Sequence, residues 1–287
     1  MEYRIVLSVL LIAHFLGDFY LQSNKMMNDK NNKWKIMGWH GLIYTMCFVT
    51  FTHVFFWHIS WLFPLLISAL HLFIEILKRW LLKHTSIKKH PMRLFFADQV
   101  IHIAIIGIVA LFYAISQGIA YSSFSIQLRE LYIGLHVELP ARQVIHLTCI
   151  FLFVWKPAGL ITAKLLETVR YNKQSVLKKE QKFGIITGDI AGKAVNLHLQ
   201  QSIDESQITV RMAQKQRAGR YIGILERYLT VIFFLLGQYT AIAFTLTAKS
   251  VARFKELEDA DFAEQYLIGT LVSQLLAILS VLILSGS

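Results

Sequence analysis

Four pairs of polar residues stand four positions apart in stretches of sequence that are otherwise apolar. The pairs are His14 with Asp18, His40 with Tyr44, His71 with Glu75, and Asp98 with His102. Residues four apart share one face of a helix, so each pair points in one direction. Imidazole and carboxylate groups are ligands for zinc, iron and manganese in proteins. The spacing therefore indicates a metal site whose donors come from four separate segments.

The segments that carry the pairs have the composition of membrane spans. The chain has 287 residues, of which 55% are hydrophobic and only 16% are charged, whereas soluble domains carry about 25% charged residues. Several apolar runs reach the roughly 20 residues that cross a bilayer as a helix. We therefore predict an all-α, polytopic membrane protein with about seven transmembrane helices. The predicted spans are Ile5–Leu21, Met37–Trp57, Ser60–Leu77, Leu94–Ile115, Val144–Leu160, Ile222–Leu246 and Tyr266–Leu284.

Three regions follow from the spacing of these spans. Residues 1–119 form a four-span bundle that contains the candidate metal site. Residues 120–221 hold the fifth span and a basic cytoplasmic or interfacial segment, and residues 222–287 form a two-span hairpin.

All four polar pairs are expected at one depth in the membrane. Counted from the nearest basic loop residue, they lie roughly 5–16 Å into their spans, although successive spans run in opposite directions. The structural alternative is that buried polar residues only join helices through hydrogen bonds. His53, His58 and His146 have no acidic partner four positions away and serve as internal controls for that alternative. Four pairs at one depth favour a metal site over structural hydrogen bonding alone.

The residue types indicate different roles within this site. The expected metal ligands are His14, Asp18, His40, His71, Glu75, Asp98 and His102. Among these, Asp18 and Glu75 also suit a general base, and Tyr44 suits a catalytic group that contacts substrate or stabilises an oxyanion. Gln22, Lys25, Lys78 and Gln99 lie where they could bind an anionic head group, or the lysines could mark the interface by snorkelling.

The expected cofactor is a divalent metal, with zinc favoured and iron or manganese also compatible with these donors. A tetrahedral zinc ion takes four ligands, fewer than the histidines and carboxylates present. The surplus either orients the ligands or binds a second ion.

The Lys and Arg residues predict orientation and localisation. They concentrate in the loops after spans one, three and five, which predicts that these loops face the cytoplasm of a bacterial inner membrane. The N-terminus then lies outside and the C-terminus in the cytoplasm. Lys249, Arg253 and Lys255 are the exception, because they follow span six on the outer side. The net charge of +11 reflects these loops and predicts contact with membrane lipids, with no role in nucleic-acid binding. A protein partner could dock at residues 167–221 or at the C-terminal hairpin.

The motifs also resemble a known family. AHFLGDFYLQ at 13–22, HGLIY at 40–44, HLFIEILK at 71–78 and FADQVIH at 96–102 resemble a bacterial family of membrane proteins that carry a domain of unknown function. The resemblance covers about residues 1–120 well, extends more loosely to the C-terminal hairpin through GRYIGILER, LTAKSVARFKELE and YLIGTL, and implies no particular activity. The third motif of that family usually reads His-x-x-x-Asp, and Glu75 takes the place of the aspartate here. Membrane-embedded zinc hydrolases such as the seven-span ceramidases also use His-x-x-x-Asp, which is an analogy of chemistry only.

Three functions fit these observations. The first is a metal-dependent hydrolase that acts on a lipid or lipid-linked substrate near the cytoplasmic leaflet, because a bound metal lowers the pKa of water to about 7. The second is a metal or proton-coupled transporter, which needs a polar route across the whole bilayer. The third is a non-catalytic sensor or scaffold subunit with a structural metal.

Overall fold

The computed structural model describes residues 3–23, 26, 33–56, 60–84, 91–116, 126–127, 130, 141–169 and 218–285. The regular elements in these ranges are helices, which confirms the predicted all-α class. They are α1 (Tyr3–Phe15, followed by a π-helical turn, Leu16–Tyr20), α2 (Trp34–Phe55), α3 (Leu62–His84), α4 (Pro91–Ser116), α5 (Ala141–Trp155, with further helical residues 157–169), α6 (218–235), α7 (Tyr239–Val251) and α8 (Ala260–Ser285). A short 3₁₀ turn, Phe254–Glu258, precedes α8.

The chain forms two compact units. The first comprises Met1–Pro157 with Leu279–Ser287, and the second comprises Ala158–Ile278. The expected division at residues 119 and 221 stays a prediction.

Helix α1 is the centre of the first unit. It packs against α2, α4 and α5, and α3 packs against both α2 and α4. Ten of its thirteen residues are buried, including Val6, Val9 and Ala13. An apolar helix that is buried on nearly every side can hold polar residues only if they face other polar residues. The two polar groups near its end, His14 and Asp18, therefore define where the interior of this unit is polar.

Four helical stretches in the described part of the chain are long and apolar enough to cross a membrane. They are Tyr3–Tyr20, Met92–Ile115, Arg142–Val169 and Ala260–Leu284, which correspond to predicted spans one, four, five and seven. The count of seven is therefore not confirmed. Helices α2 and α3 have 22 and 23 residues, which is sufficient length, but the polar and charged residues that they carry lower their hydropathy.

The predicted sixth span, Ile222–Leu246, is not one continuous helix, and the expected two-span hairpin stays a prediction. Helix α6 ends before Gly237, whose φ of 69° lies in the left-handed region that glycine adopts without steric cost. The amide of Gly237 donates to the carbonyl of Phe234 at 3.1 Å, and that of Gln238 donates to Phe233 at 2.8 Å. This pair of bonds is a Schellman motif, which terminates a helix and satisfies its last carbonyls.

Helices α6 and α7 then lie side by side as a helical hairpin in the second unit. The Lys249 ammonium near the end of α7 donates to the Glu226 carboxylate on α6. The Gln274 amide on α8 also donates to Glu226, at 3.0 Å, and Arg227 donates to Ser273 at 3.1 Å. These buried polar groups are paired across helices, as expected for a structural network.

Candidate metal centre

The four sequence pairs come together in one buried cluster between α1, α2, α3 and α4. Each of the following residues is at least 93% buried: His14, Asp18, His40, Tyr44, His71, Glu75, Asp98 and His102. The four pairs stand at similar distances from the basic loop ends of their helices, and this brings them to one level of the bundle. The shared depth that the sequence predicts is thus the depth at which the side chains meet.

One set of donors consists of Asp18, His40, His71 and Glu75. A ligand atom from each of these residues lies within 4.8 Å of the others. The Nε2 atoms of His40 and His71 are 3.0 Å apart, and Nε2 of His40 is 3.4 Å from Oδ1 of Asp18. Two ligands of a tetrahedral zinc ion with bonds of 2.0–2.1 Å lie about 3.3 Å from each other. Two imidazoles and two carboxylates at this spacing match a divalent ion in both geometry and charge.

A second set of donors consists of His14, Asp18 and His102, again within 4.8 Å of one another. His102 is 2% exposed, and neither of its ring nitrogens has a hydrogen-bond partner among the described residues. A buried polar atom without a partner costs about 1–3 kcal/mol. A core histidine that only joins helices would have such a bond, so the position of His102 favours a ligand role.

Tyr44 contacts two of the histidines. Its ring stacks on the ring of His71, with centroids 3.6 Å apart and an interplanar angle of 8°. Its hydroxyl lies 3.0 Å from Nδ1 of His14, which directs the Nε2 side of that ring elsewhere in the cluster. A metal-ligating histidine commonly has its second nitrogen held in this way. The geometry places Tyr44 where it orients ligands, and its predicted catalytic role stays a prediction.

Asp18 lies in the π-helical turn that ends the first span. The amide of Leu21 donates to the carbonyl of Leu16 at 2.8 Å, five residues back. Such turns are rare and occur frequently at functional sites. The turn packs tightly on α2, because a Cβ atom added to Gly17 would lie 3.0 Å from Cδ2 and 3.2 Å from Cα of Tyr44. Glycine at position 17 therefore permits the close approach of α1 to α2 beside the site.

Lys78 lies inside the cluster. Its Nζ donates to Oε1 of Glu75 at 2.7 Å and to Oδ2 of Asp98 at 3.0 Å, so it joins α3 to α4. Sequence reasoning placed Lys78 at the mouth of the site because a lysine at the end of a span usually snorkels. Its spacing of three from Glu75 was the available signal for an ion pair. Asp98, expected as a ligand, belongs to neither donor set and is the partner of Lys78.

The remaining predicted head-group residues have separate positions. Gln99 is half-buried, and its amide donates to Oδ2 of Asp18 at 3.2 Å and to Oδ2 of Asp98 at 3.3 Å. Gln22 is buried near the end of α1. Lys25 lies outside the described residues. Gln99 thus orients a ligand carboxylate, which sequence reasoning did not anticipate.

Two of the control histidines have ordinary structural partners. Nδ1 of His146 lies 2.8 Å from the Ser8 hydroxyl. Nδ1 of His53 lies 3.0 Å from the carbonyl of Val49, and its ring contacts Trp61. His58 lies outside the described residues. The contrast with His102 separates the histidines of the cluster from those of the core.

The match to a family is confined to the part of the chain that builds this centre. Residues 6–131 match the family described as "Protein of unknown function (DUF3307)". This region is therefore similar to that domain family. The match confirms the expected resemblance to an uncharacterised family and includes all four polar pairs. No curated protein and no solved structure matches the chain. The geometry of the cluster is therefore the basis for any statement about function.

Proposed function

We propose that this protein is an intramembrane metal-dependent hydrolase that acts on a lipid or lipid-linked substrate near the cytoplasmic leaflet. The observation that supports metal binding is the buried imidazole of His102, which has no hydrogen-bond partner among the described residues. His102 belongs to one of the two sets of imidazole and carboxylate donors. A bound divalent ion satisfies these nitrogens and offsets the buried carboxylates, which would otherwise be costly to bury. Zinc is the favoured ion because the donors are nitrogen and oxygen at tetrahedral spacing.

The arrangement supports hydrolysis. A bound divalent ion supplies a Lewis acid and a site for an activated water. Asp18 belongs to both donor sets and receives a hydrogen bond from Gln99, which holds its carboxylate in place beside the ion that would bind the water. The Lys78 ammonium, bridging Glu75 and Asp98, is a cation beside the donors that would stabilise negative charge developing on a carbonyl or phosphoryl oxygen.

The level of the site favours a lipid as substrate. Exposed tryptophans lie near the ends of the helices at the end of the first unit where the site is: Trp34, Trp39, Trp80 and Trp155. Tryptophans of this kind form belts at the membrane–water interface. Trp39 directly precedes His40, Trp34 is six residues from His40, and Trp80 is five residues from Glu75. The site therefore lies at or just inside this belt, near the ester, amide or phosphoester groups of membrane lipids.

A structural metal is the second candidate, and the burial of the donors favours it. His14, His40, His71 and Glu75 are at most 1% exposed, and closed sites hold structural ions. The less buried side of the cluster is formed by Lys78 and Gln99, on α3 and α4. A hydrolase requires a substrate to enter between these two helices, whereas a structural metal site requires no such entry.

Turnover of defined lipids distinguishes the two candidates. Full-length protein in liposomes would be incubated with lipids that carry ester, amide or phosphoester links, with and without a chelator. The hydrolase predicts metal-dependent product that is lost in Asp18→Asn and retained in His146→Ala, a buried histidine outside the cluster. Metal bound at full occupancy with no product from any class of lipid would favour the structural ion.

We also propose a topology in the inner membrane with the basic loops in the cytoplasm and the N-terminus outside. The hairpin of α6 and α7 changes the expected location of the C-terminus. From Glu226 to Gly237 the hairpin rises about 16 Å, half of a core of about 30 Å, and it returns to Lys249 beside Glu226. A re-entrant hairpin of this kind leaves Lys249, Arg253 and Lys255 on the cytoplasmic side, which removes the exception to the charge bias.

Helix α8 then crosses outward, so the C-terminus lies outside with the N-terminus. An uninterrupted sixth span would instead place the C-terminus in the cytoplasm. Alkaline phosphatase fused to the C-terminus should be active, and a green fluorescent protein fused there should be dark. The opposite pair of results would contradict the re-entrant hairpin.

A further inference from the structure

The two donor sets of the metal centre share a single residue. Asp18 is common to both, whereas His40, His71 and Glu75 belong to one set and His14 and His102 to the other. We propose that the centre holds two divalent ions joined by the carboxylate of Asp18. This inference rests on the proposed metal-binding function and adds that there are two ions, each with its own set of ligands.

The two oxygens of Asp18 face different neighbours. Oδ1 lies 3.4 Å from Nε2 of His40 on α2, and Oδ2 accepts a hydrogen bond at 3.2 Å from Gln99 on α4. A carboxylate that presents its oxygens to opposite sides can bind one ion through each of them. Asp18 lies in the π-helical turn Leu16–Tyr20, and such turns occur frequently at functional sites.

A single ion does not account for all the donors. The set of Asp18, His40, His71 and Glu75 already supplies the four ligands of a tetrahedral ion. His14 and His102 are then left over, at a distance between ring centroids of 5.7 Å. His14 is oriented by the hydroxyl of Tyr44, and His102 has no hydrogen bond among the described residues. We therefore assign His14 and His102 as ligands of a second ion.

The spacing of the two sets fits a two-metal centre. The rings of His71 and His102, one from each set, have centroids 4.4 Å apart. Ions in two-metal hydrolytic sites lie about 3.5–4 Å apart. Neighbouring imidazoles at this distance are close enough to serve two ions at that spacing.

The two positions differ in what they offer. The first has four protein ligands and is closed, so it holds its ion structurally. The second has three and leaves a coordination position open, as catalytic sites do. An ion held by His14, Asp18 and His102 would therefore be the one with room to bind a substrate oxygen.

Zinc stoichiometry tests this division. Metal-free full-length protein in detergent micelles would be titrated with Zn²⁺ against a chromophoric chelator. The wild-type chain should bind two ions, His102→Ala and His40→Ala one each, and the control His146→Ala two. Asp18→Asn should weaken both ions, because its carboxylate is shared.

Cobalt provides a second measurement that needs no variant. If Asp18 bridges the ions, the paramagnetic signal per Co²⁺ in the wild-type protein should fall as the second equivalent binds, because the two spins couple. Two equivalents whose signals simply add would contradict the bridge, and two ions retained in a folded His102→Ala would contradict the division of ligands.

One ion in the wild type would overturn the two-ion centre and leave the metal-binding function intact. No bound ion would overturn both.

Discussion

Replacing Gly17 by alanine tests whether the packing of α1 on α2 positions the metal centre. The added Cβ would lie 3.0 Å from Cδ2 and 3.2 Å from Cα of Tyr44, whereas carbon atoms in contact normally lie about 3.5–4.0 Å apart. The ring of Tyr44 could rotate, but its Cα moves only with the backbone of α2. The substitution must therefore push the two helices apart by a few tenths of an ångström, or displace Tyr44.

The energetic result is the difference between two opposing effects. Overpacking a tight contact costs about 1–3 kcal/mol, while alanine is favoured over glycine in a helix by about 1 kcal/mol. A net loss of about 0–2 kcal/mol in unfolding free energy follows from these two magnitudes. The larger effect is expected on metal binding, because the hydroxyl of Tyr44 holds His14. Loss of such an orienting contact typically weakens metal affinity by about 10–100-fold.

Gly107 is the matched control, since it lies on α4 and a Cβ there would meet nothing within 4 Å. Unfolding in detergent would be followed by loss of helical circular dichroism, and zinc affinity by chelator competition. Gly107→Ala should keep wild-type affinity and gain up to about 1 kcal/mol. Wild-type zinc affinity together with a stability gain in Gly17→Ala would refute the reasoning.

Other predictions follow from single contacts. Tyr44→Phe removes the hydroxyl that holds His14 and should weaken zinc binding by about 10–100-fold without loss of helix content; unchanged affinity would show that the contact is incidental. Zinc affinity should fall when the solution is acidified, because protons compete with the metal for the imidazole and carboxylate donors; an affinity that does not change on acidification would argue against these donors. Lys78→Met removes the cation that pairs with the buried carboxylates of Glu75 and Asp98. The substitution should lower the unfolding free energy of the metal-free protein more than that of the zinc-bound protein, in which the ion still balances negative charge. Equal losses in the two forms would contradict the idea that a bound ion balances the carboxylates of the cluster.

The candidate site was predictable because its signal is local. Each polar pair is spaced by four, and the count of residues from the basic loops placed all the pairs at one depth. Because α1 to α4 pack together in one bundle, equal depth was enough to bring the pairs into contact. The same polar residues made the spans themselves harder to recognise, since they lower the hydropathy of α2 and α3.

Other features depend on contacts that spacing does not encode. Lys78 reaches Asp98 on another helix, and a lysine at the end of a span has the same sequence pattern whether it snorkels or pairs. The π-helical turn at Asp18 lies inside an apolar helical pattern of normal period. Gly237 was a visible signal for the break between α6 and α7, but a lone glycine in an apolar run is also compatible with a continuous helix.

The most direct test of the central claim is the metal content of the full-length protein purified in detergent. Elemental analysis would compare the wild type with His71→Ala/His102→Ala, which removes one histidine from each donor set, and with His53→Ala/His146→Ala as the control for loss of two histidines. The account predicts stoichiometric metal in the wild type and the control, and its loss in the cluster variant at matched helix content. Absence of metal from the wild type even after incubation with zinc, or equal metal in all three proteins, would contradict it.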